Sequence, residues 1–460
     1  MRSLRDTTHA LDHGLAAIRE EFAVPAAFPP DVLAAAATAA RRTPTAHVDR
    51  TGWVFATLDP ETSTDLDQAF AMETAGDDIL LHYAIADVAW FVDDGDLVDA
   101  EAWRRGNTIY LPDGKVSLYP PVLAEGAASL LPDGPRPAVV FHVRLQPDGT
   151  ATLDGAERAI IRSRAKLAYD RVQPSDLPPM FAEFSHRVDA WEAARGATAV
   201  EPPEQLVERN THGYRLTFRP RMASEAQNSA MSLATNIAVG DALFRAHTGL
   251  FRVLAEPDPR AEGRLRHTAH ALGVEWPRGI ALEQFTRSLD GNVPRNAAFL
   301  LAVRRAGGAA GYATYQPGVT PWHAAVAATY AHATAPLRRL ADRYVVQAAL
   351  AVANGAPVPD HVAEALPQLP KAMSVAASHA GQIDRAVIDL AEAVMLEGRE
   401  GSTFTAVVVD EDDEFAKVQL GEVAVVTRVK ARGIHPGDEL RVRLVSVDAT
   451  RRTVTFERVA

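Results

Sequence analysis

The apolar residues change period twice along the 460 residues of this chain, and those changes divide it into three parts. Over residues 1–48 the period is helical: LDHGLAAIREEF has apolar residues at helical spacing, the proline-rich FAVPAAFPP interrupts it, and DVLAAAATAARR resumes from an Asp cap. Residues 49–397 open strand-rich, in WVFATLD, DILLHYAIADVAWFV and AVVFHVRLQ, with Pro, Asp and Gly turns between them. They then become helix-rich, in NSAMSLATNIAVGDALFRAH, PLRRLADRYVVQAALAVANG and KAMSVAASHAGQIDRAVIDLAEAVMLEG. Strands followed by helices predict an α+β domain. Residues 398–460 return to short alternating strands: FTAVVVD, EFAKVQL, EVAVVTRV, ELRVRLVSVD and TVTFERV. Five strands in so short a stretch predict a small OB-type β-barrel.

This length exceeds what one core serves, so a multidomain α+β protein is expected, and a hydrophobic fraction of 47% suffices for globular folding. No run reaches the roughly eighteen uninterrupted apolar residues of a membrane span, and MRSLRDTTHALDHG lacks a signal-peptide stretch. The expectation is a soluble, cytoplasmic protein. The absence of cysteine excludes disulfides, thiolate zinc sites and cysteine nucleophiles. A net charge of −12 argues against a surface that coats nucleic acid throughout, yet it permits a basic channel. Only five of the 47 basic residues are lysines. Guanidinium suits bidentate phosphate recognition, but arginine bias also follows from a skewed genome, so the bias alone decides nothing.

Chemistry concentrates in TLDPETSTDLDQAF, which sets Asp59, Asp65 and Asp67 on one turn after the strand-like WVFATL. Crowded carboxylates repel one another, and a hard divalent cation such as Mg²⁺ or Mn²⁺ relieves that repulsion while leaving positions for substrate phosphate. The spacing by itself favours a solvated acidic turn over a metal site. A calcium loop is the third reading, but the glycine and closing glutamate of the EF-hand are missing.

Four stretches in order settle the choice by resemblance. TLDPETSTDLDQAF, HYAIADVAWFV (82–92), GNTIYLPDGKVSLYPPVL (106–123) and TAPLRRLADRY (334–344) resemble the acidic signature, the strand after it, the tyrosine-bearing segment and the arginine helix of the ribonuclease II family. The tail GDELRVRLVSVDATRRTVTFERV is similar to the end of an S1 domain. The resemblance covers about 25–460 and implies an RNB catalytic domain over 49–397, followed by an S1 RNA-binding domain. The implied activity is metal-dependent hydrolysis of single-stranded RNA from the 3′ end, releasing nucleoside 5′-monophosphates. The alternative is a catalytically impaired RNA-binding protein that retains the fold.

By that resemblance Asp59, Asp65 and Asp67 are metal ligands, with Asp67 nearest the attacking water and Asp65 also catalytic. Gln68 stands where the family has a fourth aspartate; its amide keeps one oxygen ligand but removes a charge, so one ion or two remain open. Arg338 matches the catalytic arginine, whose donor fork suits charge developing on phosphate. Its helix is expected to begin after Ala335-Pro336 and to pair Arg338 with Asp342 at i,i+4; a plain surface salt bridge is the other reading. The motif has Ala335, Leu340 and Val346 where the family usually carries serine, tyrosine and histidine.

Tyr110 matches the tyrosine that stacks on the 3′-terminal base, and Tyr169 one that contacts the backbone and favours ribose. Asn228 and Ser229 occupy the neighbourhood of a ribose-binding glutamate. Arg339 is a further RNA-binding candidate, and in the barrel Phe404, Phe415, Arg428, Lys430 and Arg432 form a candidate RNA face, unless the phenylalanines are core. His82, His323 and His332 lack zinc-site spacing and read as core or rim residues. Asp87 reads as a strand-end hydrogen bond, and Asp93, Asp94 and Asp96 as a solvated turn. The N-terminal helical module stands where the family carries cold-shock barrels, either as a helix-turn-helix or as a clamp on the RNB domain. A wider entrance, accepting structured RNA with a 3′ overhang, is the expectation.

Overall fold

The computed structural model describes residues 10–459 except 198–203, 211–212, 220–221, 257–258, 291–292, 412–413, 422, 424 and 436–437. Nine strands build the first half. They are β1 (Val48–Asp49), β2 (Phe55–Asp59), β3 (Gln68–Ala75), β4 (Asp78–Ala86), β5 (Ile109–Leu111), β6 (Gly114–Val116), β7 (Arg136–Leu145), β8 (Ala151–Ile161) and β9 (Ser163–Ala168). Seven of them form one sheet in the order β1-β8-β7-β4-β3-β2-β9, and β5 and β6 form a separate hairpin. Within the sheet β1 runs parallel to β8 and β2 parallel to β9, while the inner pairs are antiparallel. The central strand β4 (DILLHYAIA) has an almost unbroken buried run, as expected of a strand covered on both faces.

Helices cover the sheet. Those of the first half are α1 (Ala10–Glu21), α2 (Pro30–Ala39), α3 (Leu97–Arg105) and α4 (Phe181–Ala194). Next comes the hairpin β10 (Glu204–Asn210) and β11 (Gly213–Arg219), then α5 (Ala223–Arg245). Ala230, Met231, Ala234 and Ala238 of α5 are buried in the same core as Tyr83, Val140 and Phe141 of the sheet. Ala230, Ala234 and Ala238, at i, i+4 spacing on one face, let α5 approach the strands closely. Strands β12 (Leu250–Val253) and β13 (Gly311–Thr314) pair across an excursion containing α6 (Pro259–Ala271), α7 (Leu282–Arg287) and α8 (Pro294–Ala306). The small pair β14 (Trp322–His323) and β15 (Ala328–Thr329) follows, then α9 (Leu340–Ala353), α10 (Asp360–Ala365) and α11 (Leu369–Leu396).

Strands β16 (Thr403–Glu411), β17 (Phe415–Leu420), β18 (Val426–Lys430), β19 (Glu439–Asp448) and β20 (Thr453–Val459) close into the barrel predicted from the alternation. The excursion α6–α8 packs onto this barrel, since Leu265, Phe285 and Phe299 share an apolar cluster with Val409.

The two N-terminal helices form, but they serve two different cores. Leu11, Leu15 and Ile18 of α1 pack with Ile383 and Leu390 of α11 and with Val207 and Leu216 of the β10–β11 hairpin. Val32 and Ala36 of α2 belong to the main core. Each helix thus buries its apolar stripe against later parts of the chain. Among the described residues, no helix is long and apolar enough to cross a membrane.

Candidate active site

Strand β2 ends at Asp59 and β3 begins at Gln68, so the whole acidic turn lies at one end of the sheet. In the β2–β9 ladder Asp59 is level with Ala168, and Tyr169 N–H donates to the Asp59 carbonyl at 3.3 Å, which places Tyr169 beside the turn. Four further elements converge there. The β5–β6 hairpin brings Tyr110, α5 brings Asn228, Ser229 and Ser232, the connection after β14 brings Ala325 and Val326, and the turn before α9 brings Arg338. Together with Asp59, Asp65, Asp67 and Gln68 they line one cleft of about 730 Å³.

Asp67 lies at its floor, 6% exposed. Its Oδ1 accepts a hydrogen bond from Leu337 N–H at 2.6 Å, across 270 positions of sequence, and its Oδ2 is 3.5 Å from Arg338 Nε. Burial pushes its carboxyl up to about 8, against the pull of the Arg338 guanidinium and the Leu337 amide. Burial likewise pushes the Asp59 carboxyl up to about 7, although the residue as a whole is part-exposed. Among the described residues, none donates a hydrogen bond to the Asp59 carboxylate. Two desolvated carboxyls facing a cleft fit a hard cation, which supplies the charge that burial withholds. Among the described residues, however, no group of three or more His, Cys, Asp or Glu side chains is arranged to hold a metal ion. Asp65 is engaged otherwise, by Lys115 Nζ at 2.7 Å and the Tyr110 hydroxyl at 3.3 Å.

Gln68 lines the cleft but does not offer its oxygen as the sequence reading expected. Its carbonyl accepts from the Tyr83 hydroxyl and from Ser232 Oγ at 3.1 Å, and its amide donates to the Thr334 carbonyl at 2.7 Å. An amide carries both a donor and an acceptor, and here both tie β3 to α5 and to the arginine segment. A carboxylate could not make the bond to Thr334.

The arginine segment also departs from expectation. Residues 336–338 form a turn, Arg339 forms an isolated bridge with Asn107, and α9 starts only at Leu340. The cause is Asp342, fully buried, whose Oδ2 accepts from Ala335 N–H at 2.9 Å and whose two oxygens accept from Arg339 at 2.9 and 2.8 Å. Asp342 therefore pairs with Arg339, not Arg338. Arg339 lies in the cleft wall with its guanidinium committed, and Arg338, with its side chain 43% exposed, is left to face Asp67.

Tyr110 is 52% exposed at the cleft. The Tyr169 hydroxyl accepts from Asn228 Nδ2 at 2.9 Å, which leaves its own O–H free to donate, and Ser229 Oγ donates back to the Glu225 carbonyl at 2.9 Å. In the barrel Phe404 is 1% exposed and packs on Phe456, so it is core and cannot stack on a base; its inward place in β16 dictates this. Arg432 is exposed and pairs with Glu414 at 3.3 Å.

His82 and His323 are buried, and His332, part-exposed, shares a 2.8 Å hydrogen bond with the Tyr312 hydroxyl. Asp87 is buried against His47 and Arg158. Asp96 caps α3, so the acidic run 93–96 is in part a helix start. The sequence did not single out Lys115, and it paired Asp342 with Arg338 where the structure pairs it with Arg339. The signal for Lys115 lay in the PDG turn, which sets it opposite Tyr110 in the hairpin ladder.

Comparison with known proteins gives the same outline. Residues 48–353 match the model of the RNB domain, and residues 402–459 match the RNase II-type exonuclease C-terminal S1 domain. The chain is 24% identical to Ribonuclease R of Aquifex aeolicus over 452 residues, covering 87% of this chain and 63% of that relative. It thus spans less than two thirds of the length of that curated relative. The structure of Mycoplasma genitalium RNase R in complex with ribose-methylated single-stranded RNA superposes with a TM-score of 0.85 at 19% identity, over 100% of this chain and 79% of the other. Yeast Ssd1, described as a pseudonuclease, superposes with a TM-score of 0.67 at 17% identity, over 89% of this chain and 52% of the other. With a catalytic-domain match over well more than half of its length and the matching S1 barrel after it, the chain belongs to the RNB-domain family of the ribonuclease II and R type.

Proposed function

We propose that this chain is a metal-dependent 3′→5′ exoribonuclease that shortens single-stranded RNA and releases nucleoside 5′-monophosphates. The observation that carries the reading is the convergence of Asp59, Asp67 and Arg338 in one cleft, with Asp67 tied to the arginine turn by the Leu337 amide. Asp59 and Asp67 would hold Mg²⁺ or Mn²⁺. Such an ion, when bound, lowers the pKa of a coordinated water and neutralises charge on the scissile phosphate.

The chain's own residues supply the rest. Arg338 is close enough to Asp67 to be aimed by it and exposed enough to reach a phosphate oxygen, where its fork stabilises the charge that develops on in-line attack. Tyr110 presents a ring to the terminal base, gripping any sequence by stacking. The Tyr169 hydroxyl, oriented by Asn228, donates to a ribose 2′-hydroxyl, which DNA lacks. Ser229 lines the same wall, and Arg432 extends a basic contact from the barrel. The N-terminal helices act as a clamp on the catalytic domain, and residues 1–48, 49–397 and 398–460 are the three units of this reading.

Chromatography of the products from a single-stranded RNA oligonucleotide, with Mg²⁺, with Mn²⁺ and with chelator, tests the proposal. Nucleoside 5′-monophosphates formed only with metal are expected. Tight RNA binding without mononucleotide would overturn the nuclease reading and favour an impaired RNA binder, with the neutral Gln68 as the cause.

A further inference from the structure

The β5–β6 hairpin grips one carboxylate of the cleft with two side chains at once. Tyr110 and Lys115 are direct partners in its ladder, and both reach Asp65, the lysine at Oδ1 and the tyrosine at Oδ2. Lys115 is itself held on its other sides: Glu125 lies at 3.1 Å and Thr64 Oγ1 at 3.1 Å, while the Thr64 hydroxyl in turn donates to Glu125 at 2.9 Å. The Asp65 side chain is only 10% exposed and that of Lys115 21%. Asp65 and Tyr110 line the cleft whereas Lys115 does not, so the ammonium meets Asp65 from within the protein.

Each remaining oxygen of the acidic turn can then be assigned. The Gln68 oxygen is taken by Tyr83 and Ser232. Both Asp65 oxygens are taken by the hairpin. Asp67 is anchored through Oδ1, and Asp59 carries no hydrogen-bond donor from the described residues. Two divalent ions close together repel strongly and need several uncommitted anionic ligands to share. Among the turn's carboxylates that line the cleft, such oxygens are left only at Asp59 and at Oδ2 of Asp67, which faces Arg338 Nε at 3.5 Å.

We propose that Lys115 is a built-in counter-ion that withdraws Asp65 from metal ligation, so that this site holds a single divalent cation on Asp59 and Asp67. The inference rests on the metal-dependent reading above and adds to it the number of ions and the residue that sets it. Lys115 is a positioning residue: it acts through Asp65 and touches neither substrate nor ion. An ion recruiting Asp65 would have to displace a part-buried ammonium and break its 2.7 Å ion pair, leaving Lys115 with Glu125 as its one remaining carboxylate partner among the described residues.

Titration of the full chain with Mn²⁺, following the resonance of free Mn²⁺, counts the bound ions without reference to activity. One ion per chain is expected in the native protein and in Lys115→Arg, and two in Lys115→Gln, where Asp65 is released. Asp65→Asn is expected to keep one ion with affinity within about fivefold, because a carboxylate that is not a ligand acts only through residual charge. Two ions in the native chain, one in a folded Lys115→Gln chain, or loss of binding in Asp65→Asn would each overturn the inference. If Lys115→Gln does not fold, the native count and Asp65→Asn still decide. No bound ion in the native chain would overturn the metal-dependent reading as well. Two ions accompanied by RNA shortening would leave that reading standing and remove only the role of Lys115.

Discussion

Binding of a divalent cation in this cleft must displace protons, and their number follows from the two buried carboxyls. Burial holds Asp59 near about 7 and Asp67 near about 8 in the metal-free protein, both far above an ordinary aspartate. A ligand carboxylate must be ionised, so the ion competes with those protons. At pH 7 Asp59 is about half protonated and Asp67 about nine-tenths, so roughly 1.4 protons leave per ion bound; at pH 9 the figure falls to about 0.1. The same binding polynomial strengthens apparent affinity about twentyfold between pH 7 and pH 9. Folding runs the other way. Each raised carboxyl stabilises the metal-free fold fully below the unfolded value near 4, and that contribution is lost as pH rises through about 7 and about 8. Calorimetric Mg²⁺ titrations in two buffers of different ionisation enthalpy give the proton count directly. Binding at pH 7 that releases no protons, with affinity flat to pH 9, would refute the assignment of these carboxyls as the ligands.

Further substitutions probe the scaffold around the cleft. Asp342→Ala strands the Arg339 guanidinium and frees Ala335 N–H, and should cost about 3–5 kcal/mol in denaturant unfolding as well as activity; a loss below about 1 kcal/mol would contradict the role given to Asp342. Tyr110→Ala removes a stacking face and should weaken binding of single-stranded RNA by about 1–3 kcal/mol, read by fluorescence anisotropy; unchanged affinity would place the terminal base elsewhere. Leu15→Ala, in a fully buried position between α1 and α11, should lower stability by about 2–5 kcal/mol, whereas an N-terminal module independent of the rest would tolerate it.

The barrel strands were legible to within a few residues because alternation and acidic turns mark both their faces and their ends. Phe404 shows the limit of that signal. Period two says that it lies opposite its neighbours but not which face is inward, and closure of the barrel decides that. The acidic turn and Arg338 were found by resemblance, but the arrangement between them was not legible. Proline in a first turn is a sound local rule, and here a side-chain contact within the same segment overrides it. Asp342 accepts from Ala335 and Arg339, delays the helix to Leu340 and exchanges the partners of the two arginines. Gln68 reads as a depleted ligand because it stands where the resemblance places a fourth aspartate, but its partners Tyr83, Ser232 and Thr334 come from other segments altogether. The β10–β11 hairpin and the excursion α6–α8 went unread within a region that otherwise turns helix-rich. Both bury their apolar residues against distant elements, the hairpin on α1 and α11 and the excursion on the barrel, and no local period announces such a contact.

The most direct test of the nuclease assignment is a time course on 5′-labelled single-stranded RNA with Mg²⁺, comparing the native chain with Asp67→Asn. The account predicts a ladder shortening from the 3′ end to a small limit product, abolished by chelator and lost in the variant, which keeps the shape of Asp67 and its contact with Leu337 but removes its charge. Internal cleavage, or shortening at an undiminished rate in Asp67→Asn, would contradict it.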